Sequence, residues 1–480
     1  MKFRILTTLV FLVTLTTNSQ EKLGYFFNNL KKSSYSINIK EIFPVVNQQN
    51  GNTVVFLKDA KNIYAYKLND SFKVISKIAL ENSKRKFKTL LGFSISDNED
   101  YSLYLSNKSK NKFIRTTFSF KNKKSSSREF TLGNNEEFVQ TASLNNKFYL
   151  ITSKKHSDIV NLHIHQNENS ESKKIDFSDQ KIIDKLGQGT YVGNLLLYKP
   201  FIASDGFVKN KKSEEIIKID SDVPNAIEIV SKTNKMYLNK DQIIFTFDSS
   251  NKNTQAIVID PEKYKGTFKS FPKDLRSAKK TNSFFVDEKI FISTTNKNKL
   301  FLQIFDFNSE KLLKKYTIEK DKPISFKNTP IIQEGGAYTM VRKLESAKKF
   351  LRKINAGEFG ISARKTNNTY KVTIGGYVKK ASPGQMGAMG FSMTMSGSFL
   401  SPTFNAFVSS SNTRSIRIKS LLDLNFEHVK DKIPDNVFDK INDYTFNNSL
   451  ETTIFKYKDF YIKGEYSQGS KLFTLKKFTD

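Results

Sequence analysis

The chain of 480 residues contains no cysteine and no tryptophan, only four histidines, and only ten arginines among its 78 basic residues. The missing cysteines exclude disulfides, thiolate metal sites, cysteine nucleophiles and a lipid anchor on a lipobox-type cysteine. Scarce arginine argues against a dedicated nucleic-acid site, because bidentate phosphate recognition favours the guanidinium fork. The lysines run along the whole chain instead of gathering in one stripe. The net charge of +31 therefore reads as a solvated lysine surface, with at most a general attraction to anionic glycans or headgroups.

Catalytic signatures are also missing. There is no GxSxG elbow, HExxH, P-loop or strand-linked GxGxxG, and two SxxK matches (Ser277–Lys280, Ser346–Lys349) lack every companion motif. The sequence predicts no enzyme and no cofactor. His163 and His165 alternate on one face of a predicted strand, with His156 across the turn, a spacing that chelates metal through imidazoles. No supporting third ligand is visible, so half-exposed strand histidines are the expectation. The acidic turns Ser96–Asp100 and Asp248–Asn253 lack EF-hand spacing and read as solvated hairpin turns.

What the chain does have begins with "MKFRILTTLVFLVTLTTNSQ". Lys2 and Arg4 precede a short apolar run from Ile5 to Leu15, then the small-x-small Thr17-Asn18-Ser19. This predicts a secretory signal peptide over 1–19, too short to span a bilayer, and no later segment reaches 18 unbroken apolar residues. The mature chain is expected to be exported, periplasmic or outer-membrane-associated, with no transmembrane helix.

From residue 20 one unit recurs: a strand, a turn rich in Asn, Lys, Asp or Ser, and a second strand. Copies start at Thr53, Tyr101, Lys147, Gln242, Lys289, Glu358 and Asp459, with a degenerate copy, "KPFIASDGFVKNKKSEEIIKID", at Lys199. Each is a hairpin by its alternation and turn residues. A spacing near 45 residues leaves room for four strands per unit, the period of a propeller blade. The expected fold is all-β, one domain over 20–480, a β-propeller of seven or eight four-stranded blades. Six blades, stacked sandwiches and a solenoid are the alternatives. A strand from 22–44 is expected to close the ring against "KLFTLKKF". Two helical stretches break the rhythm, Thr339–Asn355 and Ile433–Tyr444.

The third break is "ASPGQMGAMGFSMTMSGSF", which holds four of the seven methionines inside a charge-free run of 33 residues, 381–413. Lying between two strand-like segments, it is expected to be an intrablade insertion over 381–402. Met386, Met389, Phe391, Met393, Met395 and Phe399 are the candidate contact residues for a protein partner, since methionine-rich surfaces re-pack around varied ligands. A self-packed flap, membrane contact and Cu(I) binding by thioethers are the competing readings.

Residues Leu351 to Lys440, with "TIGGY", the Met/Gly-rich loop and "SNTRSIRIKSLLDLNFEHVKDKIPDNVFDKI", resemble uncharacterised exported β-propeller-like proteins of flavobacterial (Bacteroidota) type. The resemblance implies export and partnership in an envelope complex, and brings no reaction and no site residues. The expected function is an exported envelope binding or scaffold protein with a protein partner in the cell envelope, an outer-membrane complex being one candidate; the alternative is a glycan-binding or glycan-active periplasmic propeller.

Overall fold

The computed structural model describes residues 20–30, 38–197, 201–204, 207–210, 215–335, 341–379, 413–443 and 451–480, apart from 82, 85, 185, 221, 251, 276 and 367. Both the segment 1–19 and the insertion 381–402, with all six of its candidate residues, lie outside the described residues.

Seven antiparallel sheets follow one another along the chain as the blades of a β-propeller. In blade order the inner strands are Glu41–Val46, Thr89–Ile95, Glu137–Leu144, Asn234–Asn239, Lys280–Val286, Glu358–Thr366 and Glu451–Tyr457. Blades 1, 2, 3 and 5 have four strands each, laid down from the axis outward in chain order. Their middle strands are buried on both faces, as in Thr53–Lys58 and Tyr101–Ser106, while outer strands such as Lys124–Thr131 are polar and largely exposed. One sheet cannot cover both of its own faces; neighbouring blades do it, and closing the ring removes the open edge.

The ring closes through blade 7. Its outer strand is Gln20–Phe27, which pairs antiparallel with Leu472–Phe478, Gln20 opposite Phe478. The closing strand is thus "QEKLGYFF", at the near end of the region expected from sequence, whereas the described end of "YSINIKEIF", Glu41 to Phe43, belongs to the inner strand of blade 1. Phe26 stacks on Tyr66 of blade 1 at 4.3 Å and meets Phe473 at 5.1 Å, welding the last blade to the first.

The degenerate copy at Lys199 is not a blade. Its strands Phe201–Ser204 and Phe207–Asn210 pair only with each other, so eight hairpins give seven blades. Both predicted helices form. Four helices occur among the described residues: α1 (Val192–Leu196), α2 (Ile227–Val230), α3 (Ala347–Ala356) and α4 (Val437–Asp443). Ser346 caps α3, its hydroxyl accepting from the Lys349 N–H, and Phe350, Leu351 and Ile354 are buried on its inward face.

Blade 6 departs from the others. It has five strands, because Ile331–Gly335 and Arg342–Leu344 precede the inner strand in sequence but lie on the outer edge. Its second and third strands, Thr369–Lys379 and Thr413–Asp423, have 11 residues each and pair along their full length. They flank the methionine-rich insertion, which is therefore intrablade as expected. Gly375 lets these strands pack closely: a Cβ there would lie 2.2 Å from the Ile416 carbonyl oxygen.

Candidate functional site

A propeller's axis is where its inner strands converge, and here the described residues 216–220, 222 and 223 lie against them. Ile217–Lys218 forms a short strand parallel to the inner strand of blade 4. The Ile216 carbonyl accepts from Gln140 Nε2 of blade 3 at 2.6 Å. Lys218 Nζ reaches across to the Leu91 carbonyl of blade 2 (2.9 Å) and Thr141 Oγ1 of blade 3 (2.8 Å). On the other side, the Tyr461 hydroxyl of blade 7 donates to the Asp222 carbonyl at 2.9 Å. Ile216, Ile217 and Ile219 are buried in the ring's core. Enclosure pushes the Lys218 ammonium down to about 7, with the charge of Lys110 adding to the effect. The segment forms the end of the degenerate repeat copy at Lys199, where the pattern predicts the second strand of a hairpin and not a strand at the axis.

Where this plug meets blade 6, a cavity of about 50 Å³ opens. Blade 6 has two different faces. Ile361, Ala363, Val372, Ile374 and Ile418 pack toward blade 5 in the main core. The opposite face carries Arg364, Lys371 and Lys419, brought into register by strand pairing: Arg364 opposite Lys371, and Lys419 opposite Thr373. α4 is wedged between this face and blade 7. Val437, Phe438 and Ile441 pack against Ile454, Tyr461 and Phe478, while Asp439 Oδ2 lies 3.6 Å from Lys371 Nζ.

The Arg364 guanidinium lies over the Phe438 ring at 4.1 Å and donates through Nη2 to the Tyr461 hydroxyl at 3.2 Å. Its Nη1 is buried without a hydrogen-bond acceptor. Burial drives the Lys419 ammonium down to about 8, with Lys371 and Arg417 pushing the same way. Asp220, on the plug, is moved up to about 7 by burial and by the nearby charge of Asp222. The sequence carried a sign of this face that was not used: "ISARKTNNTYKVTIGGY" alternates apolar with cationic or hydroxyl residues where a middle strand is normally apolar on both sides.

A second feature lies at the foot of the insertion. A mainly apolar cleft of about 230 Å³ is lined by Ala356, Tyr377, Val378 and Ile416, with Lys353 and Arg414 at its edge. Val378 is 43% exposed. Burial, then Arg414, Arg352, Arg342 and Lys349, lowers the Lys353 ammonium below its usual range, so the rim is a crowd of like charges.

The histidines are placed differently from a metal site. His163 Nε2 lies 2.7 Å from Glu136 Oε2 and Nδ1 lies 2.6 Å from Ser172 Oγ, so both ring nitrogens have side-chain partners. His165 is buried against Tyr104, Phe130 and Phe148, and burial takes its imidazole down to about 4. Among the described residues no group of three or more His, Cys, Asp or Glu side chains is arranged to hold a metal ion. Asp248, expected in a solvated turn, is instead buried between blades 4 and 5. The Ser96–Asp100 turn is closed by its own backbone, with Asp97 accepting from Asn167 Nδ2 at 2.8 Å. No described helix is long and apolar enough to cross a membrane.

No family model and no curated protein matches the chain. Several solved structures are similar to it at low levels. An uncharacterised protein of Listeria monocytogenes EGD-e is 11% identical, with 92% of this chain and 96% of that chain covered and a TM-score of 0.31. The WD40 domain of SCAP from fission yeast is 7% identical over 84% and 97%, at 0.29. A Synechocystis apocarotenoid oxygenase mutant is 7% identical over 59% and 62%, at 0.29, so this chain spans 62% of its length. At such scores these likenesses carry no argument; the fold rests on the seven sheets and their closure.

Proposed function

We propose that the chain is an exported cell-envelope scaffold, a β-propeller that grips a protein partner at the foot of the blade 6 insertion. The observation that supports this most is the apolar cleft around Val378 and Ile416, lined also by the cationic Lys353 and Arg414, with Arg352 and Arg342 near enough to act on Lys353. An apolar centre within a polar, charged rim is the anatomy of a protein interface, and the rim's sign selects an acidic partner surface. The uncharged insertion Met386 to Phe399 leaves from and returns to the strands that build this cleft, which fits a soft contact element beside a rigid one.

Export and envelope location rest on the N-terminal pattern Lys2 to Ser19 and on the resemblance described above. The glycan alternative places sugar contacts on aromatics and acidic groups of the propeller's central face; described residues 216–220 lie beside the inner strands there, and the absence of tryptophan from the chain counts mildly against sugar stacking.

The test is co-purification from native envelopes using the wild-type chain, a deletion of 381–402, and Val378→Glu. Both variants are expected to remain folded by circular dichroism and to lose the partner, with wild-type binding weakening as salt rises. Retention of the partner by both variants would refute the proposal.

A further inference from the structure

The cavity between the plug and blade 6 has an unbalanced inventory. Three cationic side chains, Arg364, Lys371 and Lys419, face two carboxyl groups, Asp220 and Asp439. Asp439 is engaged by Lys371 and by the Asn436 N–H at 2.9 Å. Asp220 accepts from the Asp222 N–H at 2.9 Å, and its carboxyl is half protonated near neutral pH. Lys419 forms neither a hydrogen bond nor an ion pair with a described residue; Asp439 and Glu334 act on it only at longer range. The buried Nη1 of Arg364 likewise lacks an acceptor. Arg364 and Lys419 are half-buried, and of their charged atoms Arg364 Nη1 is the one fully enclosed; an enclosed cationic donor without an acceptor is costly, and native interiors normally satisfy it.

Geometry narrows the missing acceptor. The donors come from three adjacent strands of one blade, held in register by continuous pairing. Arg364 is further fixed by Phe438 and Tyr461. The volume of about 50 Å³ accommodates a few waters or one tetrahedral oxyanion. The excess of between one and two positive charges matches a dianion, and a guanidinium beside ammonium groups is the donor set that such anions use.

We propose that this cavity is a binding site for a small tetrahedral oxyanion, inorganic phosphate or sulfate, held by Arg364 and Lys419 with Lys371 at its edge. The anion bridges blade 6 to the axial plug and stabilises the seam in which α4 is wedged.

Calorimetric titration of the full chain with sodium phosphate, and separately sodium sulfate, tests this, with sodium chloride at matched ionic strength as the reference. One anion per chain is expected, with saturable binding that chloride does not reproduce. Lys419→Met should weaken binding at least tenfold, whereas Lys456→Met, which removes an exposed lysine paired with Asp222 at 3.4 Å, should leave it unchanged. Thermal unfolding supplies a second reading: a ligand at 100 times its Kd multiplies the folding constant about 100-fold. That gain should vanish in Lys419→Met and persist in Lys456→Met. Three outcomes would overturn the site: no saturable heat in the wild type, equal binding by Lys419→Met, or equal losses in both variants. The last would mean that general screening of a strongly basic chain, or salt exclusion, accounts for the response.

Discussion

Two seams of the same ring bury lysines in opposite ways. Between blades 4 and 5, Asp248 Oδ2 accepts from the Ser283 N–H (2.8 Å) and Oγ (3.0 Å), with Lys235 Nζ at 3.5 Å. Its Oδ1 accepts from Thr254 Oγ1 at 2.8 Å. Lys235 Nζ also donates to the Ser283 carbonyl at 2.8 Å, and Lys273 Nζ to the carbonyls of Asp248 and Ser250. Every charge there has its acceptors inside the protein. Between blades 6 and 7, half-buried Lys419 and one enclosed nitrogen of Arg364 have none among the described residues. Burial alone therefore does not distinguish a structural lysine from a binding one; the accounting of acceptors does.

The largest effect that sharpens this contrast is expected from Asp248→Ala. It strands Lys235, fully buried, without a counter-charge, and should cost roughly 3–5 kcal/mol in chemical denaturation. A cost under 1 kcal/mol would show that the 4–5 seam is not organised by its charges.

The next effect is pH-dependent and belongs to the other seam. Asp220 titrates near 3.8 when unfolded and near 7 when folded. Between those values the folded chain binds the extra proton, so its contribution to stability is complete below about pH 4 and is lost as pH rises through 7. Asp222 and Arg364 act on it most directly, and Lys371, Lys419 and Asp439 line the same cavity. Asp220→Asn should remove that fall, so the variant gains stability relative to wild type as pH goes from 4 to 7, then stays level. A constant difference across that range would break the assignment.

The smallest effect is expected from Lys419→Met in anion-free buffer. Replacing a half-buried ammonium that has no partner among the described residues by an apolar side chain of similar length should be neutral or stabilising by up to about 1 kcal/mol, measured by urea unfolding. A loss above 2 kcal/mol would place Lys419 in the same class as Lys235.

Much of the architecture was legible beforehand. Seven of the eight hairpins, both predicted helices and the closing of the ring near "KLFTLKKF" followed from alternation and turn residues, signals that live in short windows. The failures share a cause. The Lys199 hairpin has the local pattern of a blade but no neighbours to extend it, and pattern alone does not say what a strand pairs with. The plug at Ile217–Lys218 is too short to carry a period. Asp248 sits in a turn-like "DSSNKN", and its burial comes from Lys235 and Ser283, distant in sequence. The cluster of Arg364, Lys371 and Lys419 depends on strand register, which no single segment encodes. Candidate residues Met386 to Phe399 lie outside the described residues, so their reading stays with the sequence.

The outer strand of blade 7 has a consequence for the order of events in folding. Gln20–Phe27 must wait for Leu472–Phe478, so the first strand made pairs with the last. Loop closure across nearly the whole chain is slow, and a ribosome-bound or partly translocated chain has nothing to close with. Blades can form in sequence, but the ring locks only once Leu472–Phe478 has been made.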